Sequence, residues 1–180
     1  EKDIEKAKSI ALELGLSSDA GMLNADAAAV CELACITVPF AHQEPTLMSV
    51  KGHLDDKILV DATVPLVPPK VMRVQLPVEG SAALKAQAII GDKTTVVSAF
   101  QNISAELLQS DGNIECDVLV AGDLLDARNV VIGLAEDAGL SGWHAGPLCN
   151  SVAAEALTSV LIAINKKHSI SHSGIKITGI

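Results

Sequence analysis

The sequence predicts an α/β fold: a mainly parallel, doubly wound sheet with helices on both faces and a small helical appendix at the C-terminus. Three observations predict it. Short apolar runs alternate with amphipathic or Ala-rich stretches at about 20–30 residue spacing, the rhythm of strand–helix–strand crossovers. The apolar material, 49% of 180 residues, is Ala, Val, Ile and Leu with two Phe, one Trp and no Tyr. Small branched residues suit strands covered on both faces. Two of the runs end in the same triplet, Thr-Val-Pro, and a proline there stops the ladder and fixes the exit of the chain.

The elements follow in order. Residues 1–15 carry Ile4, Ala7, Ala11 and Leu14 on one face with charges opposite, an amphipathic helix closed by Gly15. Residues 24–31 are a short Ala-rich helix. Residues 34–38 are a buried strand stopped by Pro39, and 44–54 read as a helix starting after Pro45. Residues 57–62 (KILVDA) are a second strand. The stretch 64–69 holds three prolines and must be a surface loop. A helix spans 81–90, and strands span 94–99 and 116–121 with helical ISAELLQ between them. Residues 126–138 form a helix ended by Gly139, and 142–145 a short strand. Residues 150–167 are a long helix, apolar on most sides, which predicts burial on a partner subunit and hence a homodimer. The tail 169–180 is polar and then apolar, a candidate short strand. The division expected is 1–145 for the sheet domain and 146–180 for a C-terminal helix and tail.

Charge and composition exclude several functions. A net charge of −9 argues against nucleic-acid binding, which needs a basic surface. A few local lysines or a helix N-terminus still suffice for an anionic small molecule. No run of eighteen or more apolar residues occurs, so no membrane span is expected, and no signal peptide is visible. Cys31, Cys35, Cys116 and Cys149 form no Cys-x-x-Cys and have no histidine at zinc spacing, which fits reduced thiols in a cytoplasmic protein. His168 and His172 stand four apart without an acidic third ligand, and read as a solvated tail.

In open parallel sheets, ligands bind outside the carboxyl ends of the strands. Both Thr-Val-Pro triplets fall there, at Thr37-Val38-Pro39 and Thr63-Val64-Pro65. Gln101, Asn102 and Ser104 follow the third strand, where polar groups orient an amide or carbonyl, or simply cap a helix. Asn150 or Ser151 caps the last helix, with Glu155 on its first turns, or receives an anionic ligand group. No Gly-x-Ser-x-Gly, phosphate loop or nucleophile–base pair is present.

From Ala34 onward the pattern is that of the later strands of a Rossmann-type dinucleotide-binding domain. No Gly-x-Gly-x-x-Gly occurs, and the sequence opens in a helix. The first βα unit with its glycine loop is therefore expected upstream, the sequence being the C-terminal five-sixths of a reductase.

The stretches ACITVPF (34–40), KILVDATVPLVPPK (57–70), EGSAA (79–83), VVSAFQNISAELL (96–108), CDVLVAGD (116–123), AEDAG (135–139), AGPLCNS (145–151), LIAINKK (161–167) and GIKITGI (174–180) together resemble the coenzyme F-420 (F420):NADP oxidoreductase family over nearly the whole chain. The domain type is also similar to the cytosolic part of some metalloreductases. The resemblance implies reversible hydride transfer between nicotinamide C4 and deazaflavin C5, with NADP and F420 as cofactors and no side chain acting as acid or base. It implies that Pro39 and Phe40 line the nucleotide cleft. It implies that Thr63, Val64 and Leu66 lie against the nicotinamide ribose and ring, and that Ala105 nears the carboxamide. Gln101 stands where many relatives carry His. Asn150 and Ser151 would shape the deazaflavin side. An ungapped alignment puts the family's lysine for the NADP 2′-phosphate at Lys2, while its Ser-Arg pair is not in this sequence.

Two other functions fit the residues. One is a non-enzymatic remnant of the fold, a binding or regulatory module. The other is an NADPH-dependent reductase of another flavin or of a small imine or carbonyl, such as a pyrroline-carboxylate reductase. That last group needs a large helical C-terminal domain, for which the sequence has one long helix.

Overall fold

The computed structural model describes residues 3–109, 112 and 114–179. The elements run α1 (Ile4–Glu13), α2 (Asn24–Val30), β1 (Leu33–Ile36), α3 (Phe40–Val50), β2 (Ile58–Asp61), α4 (Ala82–Ile90), β3 (Thr95–Ser98), α5 (Ala105–Leu108), β4 (Asp117–Gly122), α6 (Leu125–Asp137), β5 (Ser141–Gly146) and α7 (Ser151–His168). The strands lie side by side in chain order. Strands β1, β2 and β3 are parallel and in register, so that Ile36, Asp61 and Ser98 form one row at their carboxyl ends.

Period-two alternation divides the sheet between two cores. Leu59 and Val96 face one side, where they join Ile36 and the buried faces of α2, α3 and α4. Val60 and Val97 face the other and pack with Val118, Val120 and Val131 beneath α6. Helices therefore cover both faces, as expected.

The sheet is parallel apart from one pairing: β4 runs antiparallel to β3, with Val97 opposite Gly122, and β5 is parallel to β4. The spacing between β3 and β4 resembles that of a crossover. Yet α5 is only four residues long, too short to carry the chain across the sheet. The chain turns at the carboxyl end of β3 and returns alongside it.

Helix α3 begins at Phe40, before Pro45, and contains that proline. Pro39 occupies the cap position, and the buried stripe Gln43, Leu47, Val50 holds the helix on the core. One hydrogen bond is lost at Pro45, but packing outweighs it. In α1, Ala7 and Ala11 are buried as expected, whereas Leu14 lies at the end of the helix and is 70% exposed.

The buried face of α7 is partly polar: Ser151, Ala154, Glu155, Ser159 and Leu161. It packs against α4 and β4. The stretch Leu148–His168 is long and apolar enough to cross a membrane by length and composition. Its buried carboxylate and two buried serines instead serve contacts inside this fold. Among the described residues the tail after α7 forms no strand, but it is not simply solvated. Ile175 O accepts from Asp117 N–H (2.9 Å), and Ile177 N–H donates to Asp117 Oδ2 (2.7 Å). His172 leaves the helix register at φ 59°, contacts Ser104 Oγ through Nδ1 at 2.8 Å and lies 3.3 Å from Glu106 Oε2. Among the described residues no group of three or more His, Cys, Asp or Glu could hold a metal.

Candidate active site

Because β1, β2 and β3 are parallel and in register, their exits emerge together at one edge of the sheet. Ala62 N–H still bonds Ile36 O (3.1 Å), and Ala99 N–H bonds Asp61 O (3.2 Å). The segments diverge beyond that row: Thr37–Phe40 into α3, Ala62–Leu66 into the proline-rich loop, and Phe100–Ser104 into α5.

A cleft of about 870 Å³ opens along the free edge of β1, between α2 and α3. Its walls include Lys6, Cys35, Thr37, Val38, Pro39 and His42. Phe40 lies one residue after Pro39, at the start of α3, half-buried, with the Lys85 ammonium 5.4 Å from its ring centre. Lys85 also pairs with Glu44 at 3.0 Å.

At the β2 exit Thr63 is buried, and Val64 and Leu66 are half-buried. The turn is shaped by Asp61, the last residue of β2, which is fully buried. Its Oδ1 accepts Thr63 N–H (2.7 Å) and its Oδ2 accepts the Gln43 amide (2.7 Å), which donates in addition to Ala82 O (2.9 Å). Burial pushes the Asp61 carboxyl above the usual range, and the Thr63 and Gln43 hydrogen bonds oppose that rise.

Gln101 reaches the same place from β3. Its Nε2 donates to Asp61 O and Ser98 Oγ, both at 2.8 Å. The side-chain oxygens Gln43 Oε1, Thr63 Oγ1 and Gln101 Oε1 are buried and have no partner. Gln101 therefore spends its amide hydrogens on the fold. Asn102 does not cap a helix; it donates to Ala154 O (2.8 Å) and to Thr158 Oγ1 (3.2 Å), bolting this exit to α7. Ser104 sits at the cap position of α5 without a side-chain capping bond, and Ala105 beside it is exposed.

The capping expected at α7 is also absent. A 3₁₀ turn over Leu148–Asn150 leads straight into the helix, and no side chain caps it. Asn150 is exposed and donates to Ala145 O (2.7 Å), while the buried Ser151 donates to Ser81 Oγ (2.7 Å). Glu155 turns away from its own helix and caps another: Ala82 N–H (2.6 Å) and Ala83 N–H (3.1 Å) both donate to its carboxyl. Burial raises the Glu155 pKa to about 7, with the nearby Asp61 charge adding to it and the two N–H donors opposing it.

The structure thus gathers Pro39, Phe40, Thr63, Val64, Leu66 and Gln101 at one sheet edge. Asn150 and Ser151 lie at the start of α7, and Lys2 lies outside the described residues. Sequence reasoning missed Gln43 and Asp61, and read Glu155 only against its own helix, whereas it serves α4. Their one signal is polarity at positions where strand or helix periodicity demands burial.

Comparison with known proteins follows this geometry. The chain is 39% identical over 191 aligned residues to the F420-dependent NADP reductase of Methanothermobacter marburgensis, covering 99% of this chain and 85% of that protein. It is 34% identical over 186 residues to the F420-dependent NADP reductase of Methanocaldococcus jannaschii, covering 100% and 83%. A crystal structure described as a putative F420 dependent NADP-reductase from Arthrobacter sp. FB24 superposes with a TM-score of 0.79 at 24% identity, covering 88% of this chain and 74% of that one. No family model matches.

Proposed function

Because the chain belongs to the F420-dependent NADP reductase family, we propose that it transfers a hydride reversibly between NADP(H) and coenzyme F420. The observation that carries this reading is the adjacency of the two Thr-Val-Pro exits, which leave neighbouring parallel strands in register. Prolines fix the path of both exits, and the half-buried Val64 and Leu66 offer apolar surface at the second.

The site fits the nicotinamide end of the cofactor by two features: the rigid proline turns, and apolar side chains next to polar backbone. The two cofactors supply the redox chemistry, hydride leaving nicotinamide C4 for deazaflavin C5 while one proton is taken up from water. What the chain supplies is position. Pro39 and Phe40 wall the nucleotide cleft. Thr63, Val64 and Leu66 support the nicotinamide ribose and ring, Ala105 approaches the carboxamide, and Gln101 fixes the exit from which Ala105 follows. Asn150 and Ser151 shape the deazaflavin side. Lys2 answers the 2′-phosphate. Holding two rings in reacting geometry can account for a large share of such a rate, because it removes the entropy of encounter.

Residues 1–145 serve the nucleotide and 146–180 the deazaflavin and the dimer contact. Val160 and Ile164 on α7, together with Val74, Leu76 and Val78 of the loop between β2 and α4, are exposed apolar side chains of the kind a second copy covers. Four free cysteines fit a reducing, cytoplasmic setting.

The test is direct. NADPH is mixed with oxidised F420 and the full-length protein, and the visible absorbance of F420 is followed. Bleaching is the expected result, and an inactive full-length protein would overturn the assignment.

A further inference from the structure

We infer that Asp61, held from behind by Gln43, is the positioning residue of the 62–66 turn and therefore sets where the nicotinamide rests. The inference builds on the hydride-transfer reading above. No contact between Asp61 and a ligand is involved, since the side chain is fully buried.

A strand that ends in Asp-Ala-Thr-Val-Pro has two ways to leave the sheet: onward, or back across its edge. The carboxylate decides it. Oδ1 accepts the N–H two residues on, closing a local turn that no apolar side chain could close. Pro65 then fixes the backbone where the turn reaches Leu66. A local turn of this kind swings as a unit unless its acceptor is itself fixed. Here it is fixed on both sides. Gln43 of α3 donates to Oδ2, and Gln101 from the β3 exit donates to the Asp61 carbonyl. Gln43 is fixed in turn by Ala82 O at the start of α4.

Asp61 is therefore where the three parallel exits are tied together, one bond from the segment that meets the ring. A buried carboxylate is an expensive way to fill this space. Its two acceptor oxygens are what an isosteric amide cannot reproduce.

The test uses the full-length protein. Asp61→Asn keeps the shape and the acceptor for Thr63 N–H, but sets its amide hydrogens against those of Gln43. Gln43→Glu in the D61N background restores a donor–acceptor pair between the two side chains while giving up the donor to Ala82 O. Hydrogen exchange is read for the 62–66 segment against β3 and β4, alongside kcat per folded molecule and the deuterium isotope effect with NADPH labelled at the transferred position. D61N should speed exchange at 62–66 by roughly tenfold with the core strands unchanged. It should lower kcat by roughly tenfold or more and raise the isotope effect, because poor alignment slows the hydride step itself. The double variant should recover part of both losses.

If D61N leaves both the exchange at 62–66 and kcat per folded molecule at wild-type values, the inference is wrong. Loss of folded protein with wild-type kcat in what remains would also overturn it, because that is what a purely structural residue does. Wild-type protein that fails to bleach F420 would sink the hydride-transfer reading instead. The exchange arm would still decide whether Asp61 holds the turn.

Discussion

Glu155 makes the fold pH-sensitive, and the size of the effect can be worked out. Its carboxyl is 1% exposed and titrates at about 7 in the folded protein, against 4.5 for an ordinary glutamate. A raised carboxylate pKa means that the folded chain binds the proton more tightly than the unfolded one. The stabilisation is therefore fully present below about pH 4.5 and is lost as pH rises through about 7. Each unit of pKa difference corresponds to about 1.4 kcal/mol. The proton-linkage expression then gives a loss of about 2–3 kcal/mol between about pH 5 and about pH 8, a substantial part of a typical domain's stability. Burial is the main cause, since Ala82 and Ala83 already donate to the carboxyl and pull the other way.

Glu155→Gln removes the titration and keeps the size. The variant loses one acceptor at the start of α4, which costs about 1–3 kcal/mol at every pH. That constant offset cancels when two pH values are compared within each protein. Urea unfolding, followed by the fluorescence of the single tryptophan Trp143, should show wild-type stability falling by about 2–3 kcal/mol more than the variant's between about pH 5 and about pH 8. Asp61 shifts in the same direction and remains in both proteins, so it adds to both slopes. Parallel slopes would refute the account of Glu155 as a buried, protonatable cap.

Other perturbations probe the frame around the site. Gly21→Ala places a Cβ 2.5 Å from the Ala7 carbonyl carbon, a backbone atom that cannot yield, so α1 should be pushed off its seat. Melting should show a loss of about 1–3 kcal/mol. Leu47→Ala in α3, at a fully buried site, should lower stability by about 2–5 kcal/mol in urea unfolding. Asn102→Ala removes the donors to Ala154 O and Thr158, so hydrogen exchange should rise in α7 and in the 100–104 segment while β1 and β2 stay protected.

The sheet was legible because its signals are local. Thr37-Val38-Pro39 and Thr63-Val64-Pro65 mark two strand ends, and alternation at Leu59/Val60 and Val96/Val97 marks two buried faces. Strand direction was less so. The 99–116 segment has room for a crossover, and only the shortness of α5 shows that the chain returns instead. Capping rules misread Asn150 and Glu155 because those rules weigh a residue against its own helix. Asn150 turns back to Ala145, and Glu155 serves α4, more than seventy residues earlier. Gln43 and Asp61 are eighteen residues apart, and Gln101 and Asp61 forty. No helical or strand period links such positions, so a polar residue at a core position was the one available hint.

The same bonds explain why the two sides of the proposed site are mechanically one. From Thr63 N–H the path runs through the Asp61 carboxylate to the Gln43 amide and on to Ala82 O. Ala82 N–H then meets Glu155 on α7. A second path runs from Asp61 O through Gln101, whose carbonyl accepts the Thr158 hydroxyl at 2.9 Å, again on α7. Two routes of different composition join the nicotinamide turn to the helix proposed for the deazaflavin side. Hydride transfer between two bound rings depends on their separation more than on any single contact. Cutting one route should therefore cost less than cutting both. Asp61→Asn breaks the first route at its Gln43 link, and Thr158→Val together with Asn102→Ala breaks the second, since Asn102 also ties this exit to Ala154 O. In the variant that carries both cuts kcat should fall by more than the product of the losses from each cut alone, measured per folded molecule with saturating NADPH and F420. Losses that simply multiply would show that the two routes hold the turn and α7 independently.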